Sequence, residues 1–241
     1  MKLSSFVMAV FLSALSILAV QAQMPTPSLP KDLQYAHSIE FSAIQTEVYR
    51  LAWPIVRAAA KKQKGKWAVI LDVDQTVLDN AAFQKMLGNR PFSEAIWKEW
   101  TKRAGAAAIP GARAFLDKVR ALPRGEIAFI TDRGDDEAAA TLADLRAQGL
   151  FKKGDVLLTK KDTDDDKGVR RECVEKALDP RCKAQGPRTV IALFGDSARD
   201  FEELHGRNME ILGRQDILRL AGTKYFLLPN PMYGQWENGY K

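Results

Sequence analysis

The sequence predicts an α/β protein built on a parallel sheet that carries helices on both faces. Short apolar runs rich in Val, Ile, Leu and Phe alternate with stretches whose apolar residues recur every three or four positions. Strands that alternate with helices in this way form parallel sheets, because the crossover between two parallel strands is usually a helix. At 241 residues, with 46% hydrophobic and 27% charged residues, the chain suits one sizeable domain with an insertion.

The first residues have the pattern of a cleavable signal peptide. Lys2 precedes an apolar run over residues 6–20, which ends in the small residues of "LAVQAQ". The run is shorter than the ~20 apolar residues of a membrane span, and no cysteine follows it for attachment of a lipid. We therefore expect a signal peptide over residues 1–22, a periplasmic or secreted protein, and no stable membrane anchor.

The remaining elements follow a linker over residues 23–30. Residues 32–60 are predicted to form one helix with a kink at Pro54. The predicted strands are Trp67–Val73, Glu126–Thr131, Asp155–Thr159, Thr189–Gly195 and Lys224–Leu228. The predicted helices between them are Gly111–Ala121, Asp135–Gln148, Lys167–Ala177 and Ala198–Leu204. Together they describe a Rossmann-like domain over residues 31–241 with an N-terminal helical extension.

The segment over residues 80–110 interrupts this alternation. It contains no predicted strand, and its one predicted helix lies around Glu94–Lys102. We interpret the segment as a small α-helical cap that is inserted after the first strand and overlies the site.

Polar side chains stand where the predicted strands end. The carboxyl ends of parallel strands share one edge of the sheet, and ligands bind there. The residues are Asp72 and Asp74 after the first strand, Thr131 and Asp132 after the second, Lys167 at the start of the helix after the third, and Asp196 and Asp200 after the fourth. Carboxylates, a hydroxyl and an ammonium at one edge predict a site for Mg²⁺ and a phosphoryl group.

The chemistry of phosphoryl transfer needs these residue types. Mg²⁺ takes oxygen ligands, so Asp72 and Asp196 with a backbone carbonyl are sufficient protein ligands. The Asp72 carboxylate can then attack phosphorus and form an aspartyl-phosphate. Asp74 can protonate the leaving oxygen and later activate water, which requires an initially protonated carboxyl and predicts an acidic optimum. Thr131 and Lys167 can bind the phosphoryl oxygens.

At these residues the sequence resembles the haloacid dehalogenase superfamily of phosphatases. "DVDQT" matches its first motif, "ITDR" its second, Lys167 its third, and "GDSARD" its acidic fourth. The segments "LDN", "PFSEAIWKEW", "AIPGA" and "LLPNPMYGQWENG" narrow the resemblance to the class C acid phosphatases, the group that contains the bacterial surface-lipoprotein nucleotidases. The resemblance covers nearly the whole chain after the signal segment.

The resemblance implies roles for individual residues. The residues that match Asp72, Asp196 and, by its main-chain oxygen, Asp74 bind Mg²⁺ in that family, which implies the same here. From its place at a helix start, Asp200 is expected to support the metal site. Thr131, Asp132 and Lys167 form the phosphate-binding group. Trp97 and Tyr233 match positions at which nucleotidase members present aromatic rings to a base, which predicts substrate binding there.

The sequence also departs from the family pattern. Gln75 stands where the family usually has Glu, and Asp132 where it often has Asn. The stretch "KKDTDDDKGVRR" is one residue longer than the pattern, so Lys160 and Lys161 remain alternatives to Lys167 for the third motif.

Some of the predicted site residues have a structural interpretation as well. Asp200 could cap the helix that follows it. Trp97 lies three residues before Trp100, a spacing typical of a core helix, and Tyr233 could pack the C-terminal loop.

The two cysteines, Cys173 and Cys182, predict a disulfide, because the protein is expected in an oxidising compartment. Buried free thiols are the alternative. The spacing between Cys182 and Arg188 also matches that of cysteine-dependent phosphatases. No predicted strand precedes this loop, so we do not expect it to bind phosphate.

These observations predict a Mg²⁺-dependent acid phosphatase that acts on small phosphomonoesters, preferably nucleoside monophosphates and aryl phosphates. A phosphotransferase and a non-catalytic binding protein on the same fold are the alternatives, and the presence of Asp72 argues against the second. The lysine-rich "KKQKGK" is interpreted as a solvated helix end, so no nucleic-acid polymer is expected as a partner.

Overall fold

A computed structural model of the protein describes residues 29–201, 217–234 and 236–237. The predicted signal peptide, most of the predicted linker and the end of the predicted helix Ala198–Leu204 lie outside the described residues. Within the described part of the chain, no helix combines the length and the apolar character that a membrane span requires.

The elements alternate along the chain as the sequence predicts. The strands are β1 (Trp67–Leu71), β2 (Leu78–Asp79), β3 (Ala107–Ala108), β4 (Gly125–Gly134), β5 (Val156–Lys160), β6 (Thr189–Gly195) and β7 (Tyr225–Leu227). The α-helices are α1 (Lys31–Ala36), α2 (Ile39–Lys61), α3 (Ala81–Leu87), α4 (Glu94–Thr101), α5 (Ala112–Arg120), α6 (Ala138–Ala147), α7 (Lys167–Lys176) and α8 (Pro180–Lys183). Short 3₁₀ turns span Asp135–Glu137 and Ala198–Asp200.

The main sheet has five parallel strands in the order β5-β4-β1-β6-β7. Strand β1 lies in the middle, and all of its residues are buried, as expected of a strand covered on both faces. The predicted Rossmann-like α/β fold is confirmed. The central position of β1 brings the residues that follow it to the middle of the carboxyl edge.

Helices cover both faces of the sheet. Because side chains alternate along a strand, Trp67, Val69 and Leu71 pack on one face with residues of α2 and α5. Ala68 and Ile70 pack on the other face with residues of α7 and α8.

The N-terminal extension differs from its prediction. Instead of one helix over residues 32–60, the chain forms α1 and α2, which are separated at His37 and Ser38. The Ser38 hydroxyl accepts a hydrogen bond from the Phe41 main-chain N–H at 3.1 Å, so Ser38 caps the N-terminus of α2. Pro54 lies inside α2 and does not end it.

The cap contains more structure than the sequence predicts. Helices α3 and α4 form it, and β2 pairs with β3 in an antiparallel ribbon that joins its start to its end. The prediction that residues 80–110 contain no strand is therefore wrong. The ribbon holds two residue pairs, which are too few to produce an alternating pattern in the sequence.

A disulfide joins α7 to α8, as predicted. Cys173 and Cys182 are buried, and their Cα atoms are 5.7 Å apart, within the range that a disulfide can bridge. The sulfur of Cys182 is therefore not a free thiol and cannot serve as the nucleophile of a cysteine-dependent phosphatase.

Replacing both cysteines by serine should lower the free energy of unfolding by about 2–3 kcal/mol, because the unfolded chain regains the freedom that a short closed loop removes. Urea unfolding of the oxidised wild type and of the double variant measures this difference. Titration of thiols in the unreduced, unfolded wild type is the direct check on the bond. Two reactive thiols would contradict it.

Candidate active site

Three carboxylates meet at the carboxyl edge of the sheet. Asp72 directly follows β1, and its main-chain N–H donates to the carbonyl of Phe194 in β6 at 2.9 Å. Asp196 and Asp200 follow β6. One carboxylate oxygen from each of Asp72, Asp196 and Asp200 lies within 4.8 Å of the others. This distance suits a single small cation between them.

Lys167 connects two of these carboxylates. Its Nζ donates to Oδ1 of Asp72 at 2.6 Å and to Oδ1 of Asp200 at 2.5 Å. Burial alone would lower the pKa of Lys167, but Asp200 and Asp72 raise it above its usual value, so the side chain stays charged. Lys161 instead lies 3.8 Å from Asp179. Among the three lysines considered for the third motif, Lys167 contacts the site carboxylates.

The carboxylates carry more negative charge than Lys167 neutralises. Burial raises the pKa of Asp72 well above its usual value; Lys167 lowers it, whereas Asp200, Asp196 and Asp74 raise it. Burial and Asp200 raise the pKa of Asp196 to about 7, although the Asn230 amide donates to its Oδ2 at 2.7 Å. A divalent cation would offset this repulsion, so the donor set fits a metal site.

Asp200 caps the turn that follows it, as considered, and it also contacts Lys167. Its Oδ2 accepts a hydrogen bond from the main-chain N–H of Ser197 at 2.8 Å and caps the 3₁₀ turn, while its Oδ1 binds Lys167. Gly195 leaves room for this side chain, because a Cβ at that position would overlap Asp200.

Asp74 does not share the contacts of Lys167 described above and instead is hydrogen-bonded by Arg133, Asn80 and Thr131. Nε of Arg133 donates to both of its oxygens at 3.1 Å, and Nη2 of Arg133 donates to Oδ1 at 2.7 Å. The Asn80 amide also donates to Oδ1 at 3.1 Å, and the Thr131 hydroxyl lies 3.4 Å from Oδ2. Thr131, predicted to bind a phosphoryl group, thus contacts the second aspartate.

The alternation of β4 separates Asp132 from its neighbours. Thr131 and Arg133 both contact Asp74, whereas the exposed carboxylate of Asp132 pairs with Nη2 of Arg170 at 2.6 Å. Arg170 is buried and also donates to the main-chain carbonyl of Thr131. The ion pair therefore joins α7 to the end of β4, next to the carboxylates.

A cavity of about 570 Å³ opens between this edge and the cap. Its polar lining includes Asp74, Asp132 and Arg133, and much of the remaining lining is apolar. The aromatic residues that line it are Phe83, Phe92, Trp97 and Tyr233. The structure therefore places both predicted aromatic residues, Trp97 and Tyr233, at one cavity with Asp74.

The aromatic residues differ in how freely their rings are presented. Trp97 is half-buried: it stacks with Trp100 at 5.5 Å, meets Phe83 edge-on at 4.9 Å, and lies 5.4 Å from the Arg133 guanidinium carbon. Trp100 is buried in the core. Phe92 is 64% exposed. The ring of Phe92 is therefore more exposed than the ring of Trp97.

The hydroxyl of Tyr233 is linked to Asp74 through Asn80. The Asn80 amide donates to that hydroxyl at 2.8 Å and to Asp74 at 3.1 Å. Burial, followed by Asp196 and Asp74, raises the pKa of Tyr233 well above its usual value, so the phenol is neutral. Tyr233 therefore packs beside Met232 of the C-terminal segment and also lines the cavity.

Sequence reasoning missed five residues of this site. They are Asn80, Phe83, Phe92, Arg133 and Asn230. Asn80, Phe92, Arg133 and Asn230 stand inside motifs that pointed to the family, but a motif does not show which side chains meet. Arg133 and Asn80 contact Asp74 only because the ends of β4 and of the loop after β1 converge.

A carboxylate at the end of the central strand, a second carboxylate two residues later, a lysine and an acidic pair form an arrangement typical of phosphoryl-transfer enzymes of the haloacid dehalogenase class. Residues 5–236 match the HAD superfamily, subfamily IIIB (acid phosphatase), and the chain belongs to this family. The protein is an acid phosphatase.

Solved structures agree with this assignment. The chain is similar to the class C acid phosphatase from Bacillus anthracis, with 29% identity and a TM-score of 0.72. The match covers 86% of this chain and 85% of the other chain, and one of the two structures has tungstate bound.

Replacing Gly195 by alanine should reduce phosphatase activity by about 10-fold or more, because Asp200 must move and Lys167 then loses one of its two carboxylate partners. Gly65 provides the matched control, since a Cβ there meets nothing within 4 Å. Steady-state hydrolysis of an aryl phosphate measures both variants. Wild-type activity in Gly195→Ala would mean that the position of Asp200 does not matter.

Proposed function

We propose that this acid phosphatase is a secreted or periplasmic enzyme that uses Mg²⁺ to hydrolyse small phosphomonoesters through an aspartyl-phosphate on Asp72. The observation that carries the proposal is the contact of Lys167 with Asp72 inside a cluster of carboxylates. The signal-like residues 1–22 and the disulfide support an oxidising compartment outside the cytoplasm.

The metal site of the proposal consists of Asp72, Asp196 and the main-chain oxygen of Asp74. Asp200 supports it by holding Lys167 and the turn that follows β6. Mg²⁺ bound there would screen the charge of the carboxylates and of the phosphate, which allows an anionic nucleophile to approach an anionic substrate.

The residues of the chain divide the chemistry between them. An oxygen of Asp72 forms a bond to phosphorus, and the ester oxygen leaves with a proton from Asp74. Asp74 then removes a proton from the water that hydrolyses the aspartyl-phosphate. Lys167 and the Thr131 hydroxyl bind phosphoryl oxygens. Asp132 donates a hydrogen bond to a phosphoryl oxygen from its main-chain N–H rather than using its side chain, because its carboxylate would repel the phosphate.

Replacing Asp72 by asparagine should reduce turnover by about 1,000-fold or more, because the amide is a poor nucleophile at phosphorus. Asp164→Asn is the matched control, since Asp164 is an exposed aspartate in the loop before α7. Release of phosphate from an aryl phosphate is measured for both variants and, for the wild type, after chelation.

Chelation should abolish wild-type activity, and added Mg²⁺ should restore it. Turnover by Asp72→Asn at the wild-type rate would contradict the nucleophile. Full activity in a chelator after exhaustive dialysis would contradict the metal requirement without bearing on Asp72.

The substrate preference in the proposal depends on the aromatic lining of the cavity. We propose that Phe92, Trp97 and Tyr233 contact the leaving group, so that nucleoside monophosphates and aryl phosphates are better substrates than small sugar phosphates. An aromatic ring that stacks on a base contributes about 1–3 kcal/mol and tolerates any base. In the proposal, the residues at the carboxyl edge of the sheet bind only the phosphoryl group, so they do not distinguish one leaving group from another.

Replacing Phe92 or Trp97 by alanine should lower the ratio of kcat/KM for a nucleoside 5′-monophosphate to kcat/KM for glycerol phosphate by about 5- to 100-fold. Tyr233→Ala should act in the same direction. Tyr233→Phe keeps the ring and removes the bond to Asn80, so it separates the two contributions of this residue. Leu178→Ala, a distant exposed apolar residue, is the control. Unchanged ratios in folded variants would refute the stacking contact.

A further inference from the structure

Arg133 forms a bidentate ion pair with Asp74. Its side chain is fully buried, and Nε and Nη2 reach both carboxylate oxygens at 2.7–3.1 Å. Such a two-pronged contact fixes the plane of the carboxylate as well as its distance.

The guanidinium is held from several other directions. Nη1 donates to the Thr141 hydroxyl at 3.4 Å, and the ring of Trp97 lies 5.4 Å from the guanidinium carbon. Burial alone would lower the pKa of Arg133, but Asp74, then Asp144 and Glu137, raise it, so the group remains charged. An arginine surrounded in this way has no freedom to turn toward a ligand without breaking several contacts.

These contacts make the two oxygens of Asp74 unequal. Oδ1 accepts hydrogen bonds from Nη2 of Arg133 at 2.7 Å, from Nε at 3.1 Å and from the Asn80 amide at 3.1 Å. Oδ2 accepts hydrogen bonds from Nε at 3.1 Å and from the Thr131 hydroxyl at 3.4 Å. Oδ1 therefore accepts three hydrogen bonds, the shortest at 2.7 Å, whereas Oδ2 accepts two, and the longer of these comes from a hydroxyl that can rotate to another acceptor.

We propose that Arg133 is a positioning residue that orients Asp74, so that Oδ2 faces the leaving group and is the oxygen that exchanges the proton. The proposal rests on the role given to Asp74 under the proposed function. As the Asp72 oxygen bonds to phosphorus, the bond from phosphorus to the ester oxygen breaks. The proton moves from Oδ2 of Asp74 to that oxygen, which yields a neutral alcohol and an Asp74 carboxylate paired with Arg133.

Proton donation matters most when the leaving group is poor. A dinitrophenolate departs without a proton, whereas a phenolate benefits from one, and general acid catalysis contributes about 10²–10⁴-fold. The value of kcat/KM reports the steps up to departure of the leaving group and so excludes hydrolysis of the intermediate. The test is therefore the ratio of kcat/KM for phenyl phosphate to kcat/KM for 2,4-dinitrophenyl phosphate, two aryl phosphates that differ by the nitro groups of the second.

Arg133→Met should lower kcat/KM by about 100-fold for phenyl phosphate and by less than about 10-fold for dinitrophenyl phosphate. Arg133→Lys, which keeps the charge but cannot reproduce the two-pronged contact, should fall in between. Asp74→Asn should show the same selective loss. Adding Arg133→Met to Asp74→Asn should change the ratio no further. Inhibition by inorganic phosphate should stay within about 3-fold of the wild type, because the proposal has Arg133 act on Asp74 and not on the phosphoryl group.

The ratio is insensitive to partial misfolding, because an inactive fraction lowers both rates equally. If Arg133→Met does not fold, Arg133→Lys provides the same ratio. Equal losses for the two substrates, with weaker inhibition by phosphate, would make Arg133 a phosphate ligand and overturn the proposal. Equal losses with unchanged inhibition would reduce Arg133 to a structural ion pair and also overturn it.

The Asp74→Asn variant separates this proposal from the one it rests on. A selective loss in Asp74→Asn that is absent from the Arg133 variants would overturn the positioning role alone. No selective loss in Asp74→Asn would refute the proton donor itself, and the positioning role with it.

Discussion

The bridge that Lys167 makes between Asp72 and Asp200 is the interaction on which the rest of the site depends. Two carboxylates from the ends of β1 and β6 lie close together in a buried place, where like charges repel strongly. The ammonium of Lys167 offsets part of this repulsion at 2.6 Å and 2.5 Å. Without it, the parallel strands would end in uncompensated negative charge.

Several features of the fold keep that bridge in place. Asp166 caps α7 by accepting hydrogen bonds from the main-chain N–H groups of Gly168 and Val169 at 3.0 Å, which fixes the turn that presents Lys167. The disulfide joins the same helix to α8. Gly195 leaves space for Asp200 at the end of β6. The sheet brings Lys167 and Asp200 to the same edge, and these local contacts fix the orientation of their side chains.

The sequence predicted the framework of the site better than its internal contacts. Strand ends can be recognised from the change of apolar to acidic residues, so Asp72, Lys167 and Asp200 were expected at one edge, and the structure brings them into contact. The pairing of Arg133 with Asp74 depends on how far β4 continues past Thr131 and on which side chains then face β1. No pattern of residue types contains that information.

The incorrect predictions have similar causes. A helical period runs through residues 32–60, but the capping hydroxyl of Ser38 starts a new helix, because a local hydrogen bond outweighs a continuous apolar pattern. The ribbon between β2 and β3 consists of two residue pairs that stand at the two ends of the cap. In both cases the deciding interaction involves one or two residues, fewer than periodicity can detect.

The most direct test of the account is to trap the intermediate. Wild-type enzyme is mixed with an aryl phosphate, quenched in acid within one turnover, digested and examined by mass spectrometry for a phosphoryl group on the peptide that contains residues 67–80. The account predicts that Asp72 alone carries the group and that Asp72→Asn carries none. Phosphorylation of any other residue, or a burst of product with unmodified Asp72, would contradict it.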